Sequence, residues 1–229
     1  MGNDKARLAG LGVALALLVL TKENAMFVYI GLLAVLGLTP WLRFGTVSKG
    51  LLVTMLVGPL VGVAVLVNLC GSLSTTIQIY RLLVSKASVL PYAIATGDGP
   101  WYRYLIDLMI MSPVVLVLAL GGIFQLNRTA KAALFLLTFV VASYVLMANV
   151  RYGMNLRYAT IWDLPLRYFV TLCLVNVADA GSSRANVWLS AMVSVVCAMD
   201  LRQYHIFFVE HDLYELVTAG LLRALQILK

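Results

Sequence analysis

The amino-acid sequence predicts an all-α, polytopic transmembrane helix bundle, and three observations lead to this prediction. Hydrophobic residues make up 62% of the 229 positions and charged residues only 12%, whereas an ordinary globular chain has about 45–50% and about 25%. The mean hydropathy is +0.94. The apolar residues are gathered into long runs. The interior of a soluble domain of this size is too small to bury them. The bilayer is the solvent that suits such a chain.

Seven apolar runs predict about seven transmembrane spans within a single domain, residues 1–229. Leu51 to Leu69 and Leu105 to Ile123 reach the ~20 residues that a crossing needs, and Ala132 to Ala148 is at the short end of the range. Four runs are shorter, which a bundle tolerates when flanking side chains reach the interface. They are Leu8 to Leu20, Ala25 to Leu38, Leu164 to Ala178 and Val187 to Met199. Helices are predicted because a crossing segment must satisfy its own backbone hydrogen bonds.

Two further segments have the pattern of amphipathic helices. From Leu213 to Lys229, apolar residues recur at helical spacing on one face and polar residues occupy the other. Ser72 to Val89 shows the same pattern in a weaker form. Both are expected to lie at the membrane interface or on the bundle.

Other kinds of site are not expected from this sequence. Cys70, Cys173 and Cys197 are odd in number and far apart, which is typical of small buried hydrophobic residues. His205 and His211 lack a metal-binding pattern, so no metal site and no cofactor are expected, although a divalent cation is left open. The 17 Lys and Arg residues are dispersed through loops, which favours a membrane-lipid partner over a nucleic acid.

Alternation of seven spans sorts the loop residues onto two sides of the membrane. Side one receives short basic loops with Lys5, Arg7, Arg43, Lys49, Arg128, Lys131 and Arg184. Side two receives longer, aromatic-rich loops with Lys22, Arg81, Lys86, Arg103, Arg151, Arg157 and Arg202. The Lys and Arg tally is no lower on side two, so it does not settle orientation. Side two suits an anionic lipid headgroup such as a phosphate; the alternative is an aromatic belt with snorkelling cations.

Three side-two segments contain the candidate binding residues. Lys22 and Glu23 form a charge pair between two apolar runs, which is either a ligand site or a charged hairpin turn. A turn at Gly97 to Pro100 leads into Trp101-Tyr102-Arg103-Tyr104 at the head of a span, and Asn155 to Tyr158 again places a cation beside an aromatic ring. The alternative in both segments is a plain aromatic anchor. Arg167, further along, is expected to pair with Asp163 four residues earlier on the same helical face.

At these segments the chain resembles the C-type superfamily of membrane glycosyltransferases, and within it the bacterial relatives of the protein O-mannosyltransferases and the lipid A aminoarabinose transferase. The similar stretches are Ala16-Leu-Leu-Val-Leu-Thr-Lys22-Glu23, Gly97-Asp-Gly-Pro-Trp-Tyr-Arg-Tyr-Leu105, Ser112-Pro113, Asn155-Leu-Arg-Tyr158 with Leu164-Pro165, and Asp200-Leu-Arg-Gln-Tyr204 to Ala224. Their order and spacing match, and together they cover nearly the whole chain.

The resemblance implies a transferase that takes a sugar from a polyprenyl-phosphate carrier on the periplasmic side of a bacterial cytoplasmic (inner) membrane. By motif match, Lys22, Arg103 and Arg157 would contact the carrier phosphate, and Tyr102 and Tyr158 would line the lipid or sugar pocket. The reaction implied is a displacement at the anomeric carbon, in which a carboxylate base activates the acceptor and cations stabilise the departing phosphate.

The sequence departs from the family in one respect. The family's catalytic carboxylates lie in a large external loop between its first two spans, whereas here the first side-two loop is only Thr21 to Asn24 and matches a later family segment. The chain is therefore expected to correspond to the C-terminal, carrier-binding half of the enzyme, to need a separate N-terminal half and to be inactive alone, and its catalytic residues are unknown.

The alternative function is a non-enzymatic membrane protein, either a carrier-lipid transporter or an assembly subunit. A transporter is expected to show inverted repeats and interrupted helices with ionisable groups near the midplane. No repeat is visible in the sequence, which favours the transferase lineage.

Overall fold

The computed structural model describes residues 2–21, 25–90, 99–127, 129–150, 156–181 and 184–210. This part of the chain is helical and contains no β-strand, so the predicted all-α class is confirmed. Its α-helices are α1 (Gly2–Thr21), α2 (Ala25–Leu42), α3 (Lys49–Leu69), α4 (Leu73–Val89), α5 (Arg103–Met111), α6 (Pro113–Phe124), α7 (Lys131–Met147), α8 (Asp163–Gly181) and α9 (Ala185–Tyr204). A 3-10 helix (Leu156–Trp162) precedes α8, and a π-helical segment (His205–Glu210) follows α9.

Four of the described helical segments are long and apolar enough to cross a membrane. They are Ala25–Leu42, Lys49–Leu69, Tyr158–Ala180 and Ala185–Glu210, and the pair α5 and α6 makes a fifth if it is one bent span. The predicted count of seven spans is not confirmed by these criteria. Helix α1 has the length but includes three charged residues near its start, and α7 has 17 residues.

The run from Leu105 to Ile123, predicted as one span, forms a bent pair of helices and not one continuous helix. Helices α5 and α6 meet at an angle of 115°, and Ser112 between them has φ −147° and ψ 68°, outside the helical region. Pro113 accounts for the break, because its ring disfavours a helical conformation in the preceding residue. The bend leaves carbonyls at the end of α5 without their helical donors, and Gln203 from α9 donates its Nε2–H to the Ile110 carbonyl at 2.9 Å.

The chain divides into two compact units, Met1–Leu90 and Pro91–Lys229. In the first unit, α1 and α3 pack closely through small residues. A Cβ added to Gly58 would lie 2.9 Å from the Gly12 carbonyl oxygen, and one added to Gly62 would lie 2.9 Å from Val19 Cβ. Such small residues four apart let two membrane helices approach backbone to backbone, where dispersion contacts and not the hydrophobic effect hold them together.

We predict that Gly62→Ala destabilises the α1–α3 pair. The new methyl group would also lie 2.5 Å from the Ala16 carbonyl oxygen, so the helices must separate at a cost of about 1–3 kcal/mol. Gly37→Ala in α2 is the matched control, since its Cβ would meet nothing within 4 Å and gains up to about 1 kcal/mol of helix propensity. Thermal unfolding in detergent measures both, and equal Tm changes in the two variants would contradict the close packing.

In the second unit, α8 lies against α6, α7 and α9 and provides much of the buried core. Phe169 of α8 is wholly buried, and its backbone lies where a Cβ on Gly122 of α6 would be. The 3-10 helix packs on α8 and on α5. This arrangement holds the start of α5 against the end of α7 and the 3-10 helix, which is where the polar buried residues gather.

The predicted helix from Ser72 to Val89 is present as α4. It begins at Ser72, whose Oγ accepts a hydrogen bond from the Thr75 backbone N–H at 3.0 Å. The predicted amphipathic tail from Leu213 to Lys229 and the Lys22-Glu23 pair lie outside the described residues. The prediction of a single transmembrane domain stays a prediction.

Candidate functional site

The most unusual buried feature of the second unit is an ion pair in the first turn of α5. Arg103 is 2% exposed and Asp107 is 1% exposed, and Arg103 Nε lies 3.8 Å from Asp107 Oδ2. The two residues are four apart, so the helix places their side chains on the same face. In the described part of the chain, neither carboxylate oxygen of Asp107 accepts a hydrogen bond. The ionic contact with Arg103 is therefore what compensates this buried carboxylate among the described residues.

Three aromatic rings, those of Tyr104, Tyr144 and Trp162, form a cluster beside this pair. Tyr104 packs edge-on against Trp162 with 5.1 Å between ring centroids, and Tyr144 lies 6.4 Å from Tyr104 and 5.5 Å from Trp162. Trp162 donates its indole N–H to Ser143 Oγ at 2.8 Å, and Ser143 donates to the Phe139 carbonyl at 2.6 Å. The cluster thus joins α5, α7 and the 3-10 helix through ring contacts and through hydrogen bonds that satisfy the indole N–H and the Ser143 hydroxyl.

The surroundings make the Arg103–Asp107 pair sensitive to the loss of either partner. Removing two charges from water is costly, and their mutual attraction in a low-dielectric interior offsets that cost only while both are present. A neutral buried pair next to rings packed edge-on can hold the start of α5 in one orientation. If a ligand anion approached Arg103, it would compete with Asp107 for the same guanidinium.

The segment before α5 is tied to the same cluster. Arg103 donates its backbone N–H to the Pro100 carbonyl at 2.9 Å, and the Tyr144 hydroxyl donates to the Trp101 carbonyl at 2.7 Å. Tyr102 is half-buried, and its ring lies edge-on to that of Trp101 with centroids 5.6 Å apart. The predicted site residues Tyr102 and Arg103 are therefore held at the entrance to α5 by backbone as well as side-chain contacts.

Tyr158 and Arg157 reach this region from the 3-10 helix, which packs against α5. Tyr158 is half-buried and lies near Tyr104. The backbone of Arg157 lies in the same turn, and its side chain lies outside the described residues, as does the whole of Lys22. The structure thus brings Tyr102, Arg103 and Tyr158 to one end of the second unit. The contact of Arg103 with a carrier phosphate stays a prediction; the described anion beside it is Asp107.

A second charged cluster lies at the start of α8. Arg167 donates its Nε–H to Asp163 Oδ1 and Oδ2 at 3.0 and 3.1 Å, which confirms the predicted pair. Its terminal nitrogen Nη2 donates to Asp200 Oδ2 of α9 at 2.6 Å. All three side chains have some solvent exposure, so each contact contributes at most about 1 kcal/mol. The network cross-links α8 and α9 one turn before Gln203, which in turn holds the end of α5.

Three residues of the buried cluster are not singled out by the sequence. Asp107 lies within an apolar run, although the Arg103-x-x-x-Asp107 spacing within that run is a signal for an intrahelical pair. Ser143 and Trp162 are far apart in sequence, and no local pattern indicates their hydrogen bond. Within the described residues no group of three or more His, Cys, Asp or Glu side chains is placed to hold a metal ion.

Comparisons with protein-family models, with curated proteins and with solved structures find no match to this chain.

Proposed function

We propose that this chain binds the polyprenyl-phosphate-linked sugar donor of a membrane glycosyltransferase, at the end of the second unit where α5 begins. One observation supports this most directly. Tyr102 and Tyr158, two residues that the family resemblance implicates in the lipid or sugar pocket, come from sequence segments more than fifty positions apart. Tyr158 lies near Tyr104 of the cluster, and the Tyr102 ring packs on Trp101, whose carbonyl accepts from Tyr144 of the cluster. Aromatic side chains beside cations are typical of sites for a sugar or a lipid headgroup at the interface.

In this proposal the buried Arg103–Asp107 pair positions the site. The pair fixes the first turn of α5. Because its two charges cancel, it neither repels nor attracts a distant anion. Arg157 then provides positive charge for the carrier phosphate, with Arg103 available if the phosphate displaces Asp107 from it. The proposal assigns donor binding to this chain and leaves the carboxylate base of the transfer reaction unassigned.

The proposal also includes seven crossings of a bacterial inner membrane with the site on the periplasmic face. Each of the seven apolar runs coincides with a described helix or, for α5 and α6, with a bent pair. Seven crossings place the loop after α1, the start of α5 and the 3-10 helix on the same side. Reporter fusions in the loops after α2, α3, α6 and α7 test the alternation, and two consecutive fusions on one side of the membrane would contradict it.

We predict that Lys22→Ala and Arg157→Ala each weaken binding of a polyprenyl phosphate by about tenfold. A hydrogen bond to a charged group contributes about 1.5–3 kcal/mol when partly shielded from water, and tenfold in affinity corresponds to about 1.4 kcal/mol. The measurement is the Kd of a fluorescent short-chain polyprenyl phosphate for the protein in nanodiscs.

Matched controls separate a specific phosphate site from general charge. Arg7→Ala and Lys131→Ala remove exposed cations that the alternation assigns to side one, away from the proposed site. Both are expected to leave the Kd unchanged. The corresponding polyprenol, which lacks the phosphate, is expected to bind equally to all variants. Unchanged Kd values in both Lys22→Ala and Arg157→Ala, with the fold intact by thermal unfolding, would reject the headgroup site.

A second candidate, a carrier-lipid transporter, is supported by the break between α5 and α6. Interrupted helices with ionisable residues beside the interruption are a feature of transporter sites, and here a buried Arg–Asp pair lies within the first arm of the bent pair. Movement of a labelled polyprenyl phosphate across proteoliposomes tests it. Transport favours the second candidate, and donor binding without transport favours the first.

A further inference from the structure

Helix α4 (Leu73–Val89) presents a broad apolar face to its surroundings. The residues of this face are all exposed: Leu73, Ile77, Ile79, Tyr80, Leu83 and Val84. At about 100° per residue they lie within an arc of about 160° around the helix axis, in which Thr76 is the polar residue. The opposite side is mixed, since Leu82 and Val89 lie there among Ser74, Gln78 and Ser85. A broad apolar arc opposed to a more polar side is typical of a helix that lies in a membrane interface.

Two cations border this face, one along each edge. On the helical wheel Arg81 lies about 40° beyond Ile77, and Lys86 lies about 20° beyond Ile79 at the opposite edge. Both side chains are exposed. Long basic side chains at the border of an apolar face can bury their methylene stems in the acyl region while their charges reach the lipid phosphates.

The local sequence provides no anion for these two cations. Between Glu23 and Asp98 there is no Asp or Glu, so α2, α3 and α4 together contain no acidic residue. Other polar side chains of α4, Ser74, Thr75, Thr76, Gln78 and Ser85, add no charge. The helix therefore has a net positive, apolar-faced surface whose charge is complementary to an anionic membrane.

The connection from α3 sets the depth of α4 in the bilayer. Helix α3 has 21 residues and is about 31 Å long at 1.5 Å per residue, the thickness of the hydrocarbon core. Gly71 in the short connection that follows has φ +85°, a conformation that favours glycine and lets the chain turn sharply. The Ser72 cap then starts α4 at once, so α4 begins where α3 leaves the hydrocarbon.

We propose that α4 is a lipid-binding helix that lies in the membrane interface on side two, with Arg81 and Lys86 bound to the phosphates of anionic lipids. The partner is the bilayer surface itself. This inference is independent of the sugar donor, since it concerns the first unit and not the cluster at α5. It also assigns a role to the segment between α3 and the second unit: anchoring at the level of the headgroups.

The test places a spin label on each face of α4 in the full chain. Cys70, Cys173 and Cys197 are first replaced by alanine, and single cysteines are introduced as Ile77→Cys and Val84→Cys on the apolar face and Ser74→Cys and Gln78→Cys on the polar face. In nanodiscs, oxygen reports contact with lipid and a water-soluble nickel chelate reports contact with water. We expect higher oxygen accessibility at 77 and 84 and higher nickel accessibility at 74 and 78.

The charge assignment is tested with the same labels in zwitterionic and in anionic nanodiscs. We expect the membrane-bound fraction of the helix to be greater in anionic lipid and to fall with salt. Arg81→Gln with Lys86→Gln should reduce the bound-to-free ratio in anionic lipid about tenfold or more, because each cation near such a surface contributes about a factor of five. Arg7→Gln with Lys49→Gln, which removes two exposed cations elsewhere in the same unit, should leave the ratio unchanged.

Three results would overturn the proposal. If neither reagent reaches the labels at 77 and 84, the apolar face is covered by protein. If the nickel chelate reaches all four positions equally, α4 lies in water. If the accessibility pattern is periodic but insensitive to lipid charge and to Arg81→Gln with Lys86→Gln, the cations are not bound to lipid phosphates.

Discussion

Asp107→Leu is expected to destabilise the protein by about 3–5 kcal/mol, because it removes the carboxylate beside a buried guanidinium. The change deprives the Arg103 guanidinium, 2% exposed, of the carboxylate that lies 3.8 Å from it. Breaking a buried ion pair by removing one member costs far more than the intact pair contributes. At about 2–4 °C per kcal/mol for a chain of this size, the expected fall in Tm is on the order of 10 °C.

The double variant Arg103→Met with Asp107→Leu is expected to recover most of this loss. Replacing both members of a buried pair with apolar residues of similar volume removes the uncompensated charge, and such replacements are often neutral or stabilising. The measurement is thermal unfolding in one detergent for the wild-type chain, both single variants and the double variant. If Asp107→Leu alone has the stability of the wild-type chain, or if the double variant is no more stable than Asp107→Leu, the pair does not have the energetic role given to it.

The same double variant separates the structural role of Arg103 from its predicted contact with phosphate. If the pair only positions α5, a double variant of wild-type stability also binds polyprenyl phosphate with the wild-type Kd. If Arg103 contacts the phosphate, binding weakens by about tenfold although the Tm is restored. The two readouts are independent, so a stable variant that fails to bind is informative and not merely misfolded.

Gly122→Ala is expected to cost about 3 kcal/mol, at the upper end of the range for adding one methyl group to a packed interior. The new Cβ would lie 2.9 Å from the carbonyl carbon of Phe169 and closer still to its carbonyl oxygen. Both atoms belong to the backbone of α8, which cannot rotate away as a side chain can. The helices α6 and α8 must therefore move apart, and the contacts along their whole interface weaken.

The neighbouring glycine provides a matched control for this prediction. A Cβ on Gly121 would meet the Cys173 Sγ at 3.2 Å, a single side-chain atom that can shift. Alanine also forms helices better than glycine by up to about 1 kcal/mol, so Gly121→Ala is expected to be neutral or slightly stabilising. Thermal unfolding of the two variants measures the difference, and a loss in Gly121→Ala as large as that in Gly122→Ala would show that the backbone approach at Gly122 is not special.

Features that depend on composition and local spacing are predictable from the sequence. The all-α class follows from the length and apolar character of the runs, because backbone groups in a bilayer must be satisfied within their own segment. The Arg167–Asp163 pair follows from a spacing of four on one helix. The helix at Ser72 to Val89 follows from its periodicity and from a serine where the cap is needed.

The predicted span from Leu105 to Ile123 shows where such local reasoning is insufficient. Its apolar length indicates one crossing, and Ser112-Pro113 is compatible with a membrane helix. The 115° bend requires that another helix satisfy the freed carbonyl, and Gln203, ninety-three positions from Ile110, does so. A proline allows a break, but whether the helix continues or turns depends on what packs beside it.

The candidate site divides in the same way. Tyr102, Arg103, Arg157 and Tyr158 can be singled out because cations beside aromatic rings at the ends of apolar runs are visible in the sequence. Other features cannot be singled out in this way: the Ser143 hydroxyl that accepts from Trp162 and the backbone of Phe169 against Gly122. The carboxylate of Asp107 beside Arg103 is indicated only by its spacing of four. Run length, periodicity and capping act within one segment and can therefore be predicted from the sequence. Burial, hydrogen bonds between helices and close backbone approach exist only between segments, so they depend on which helices pack together.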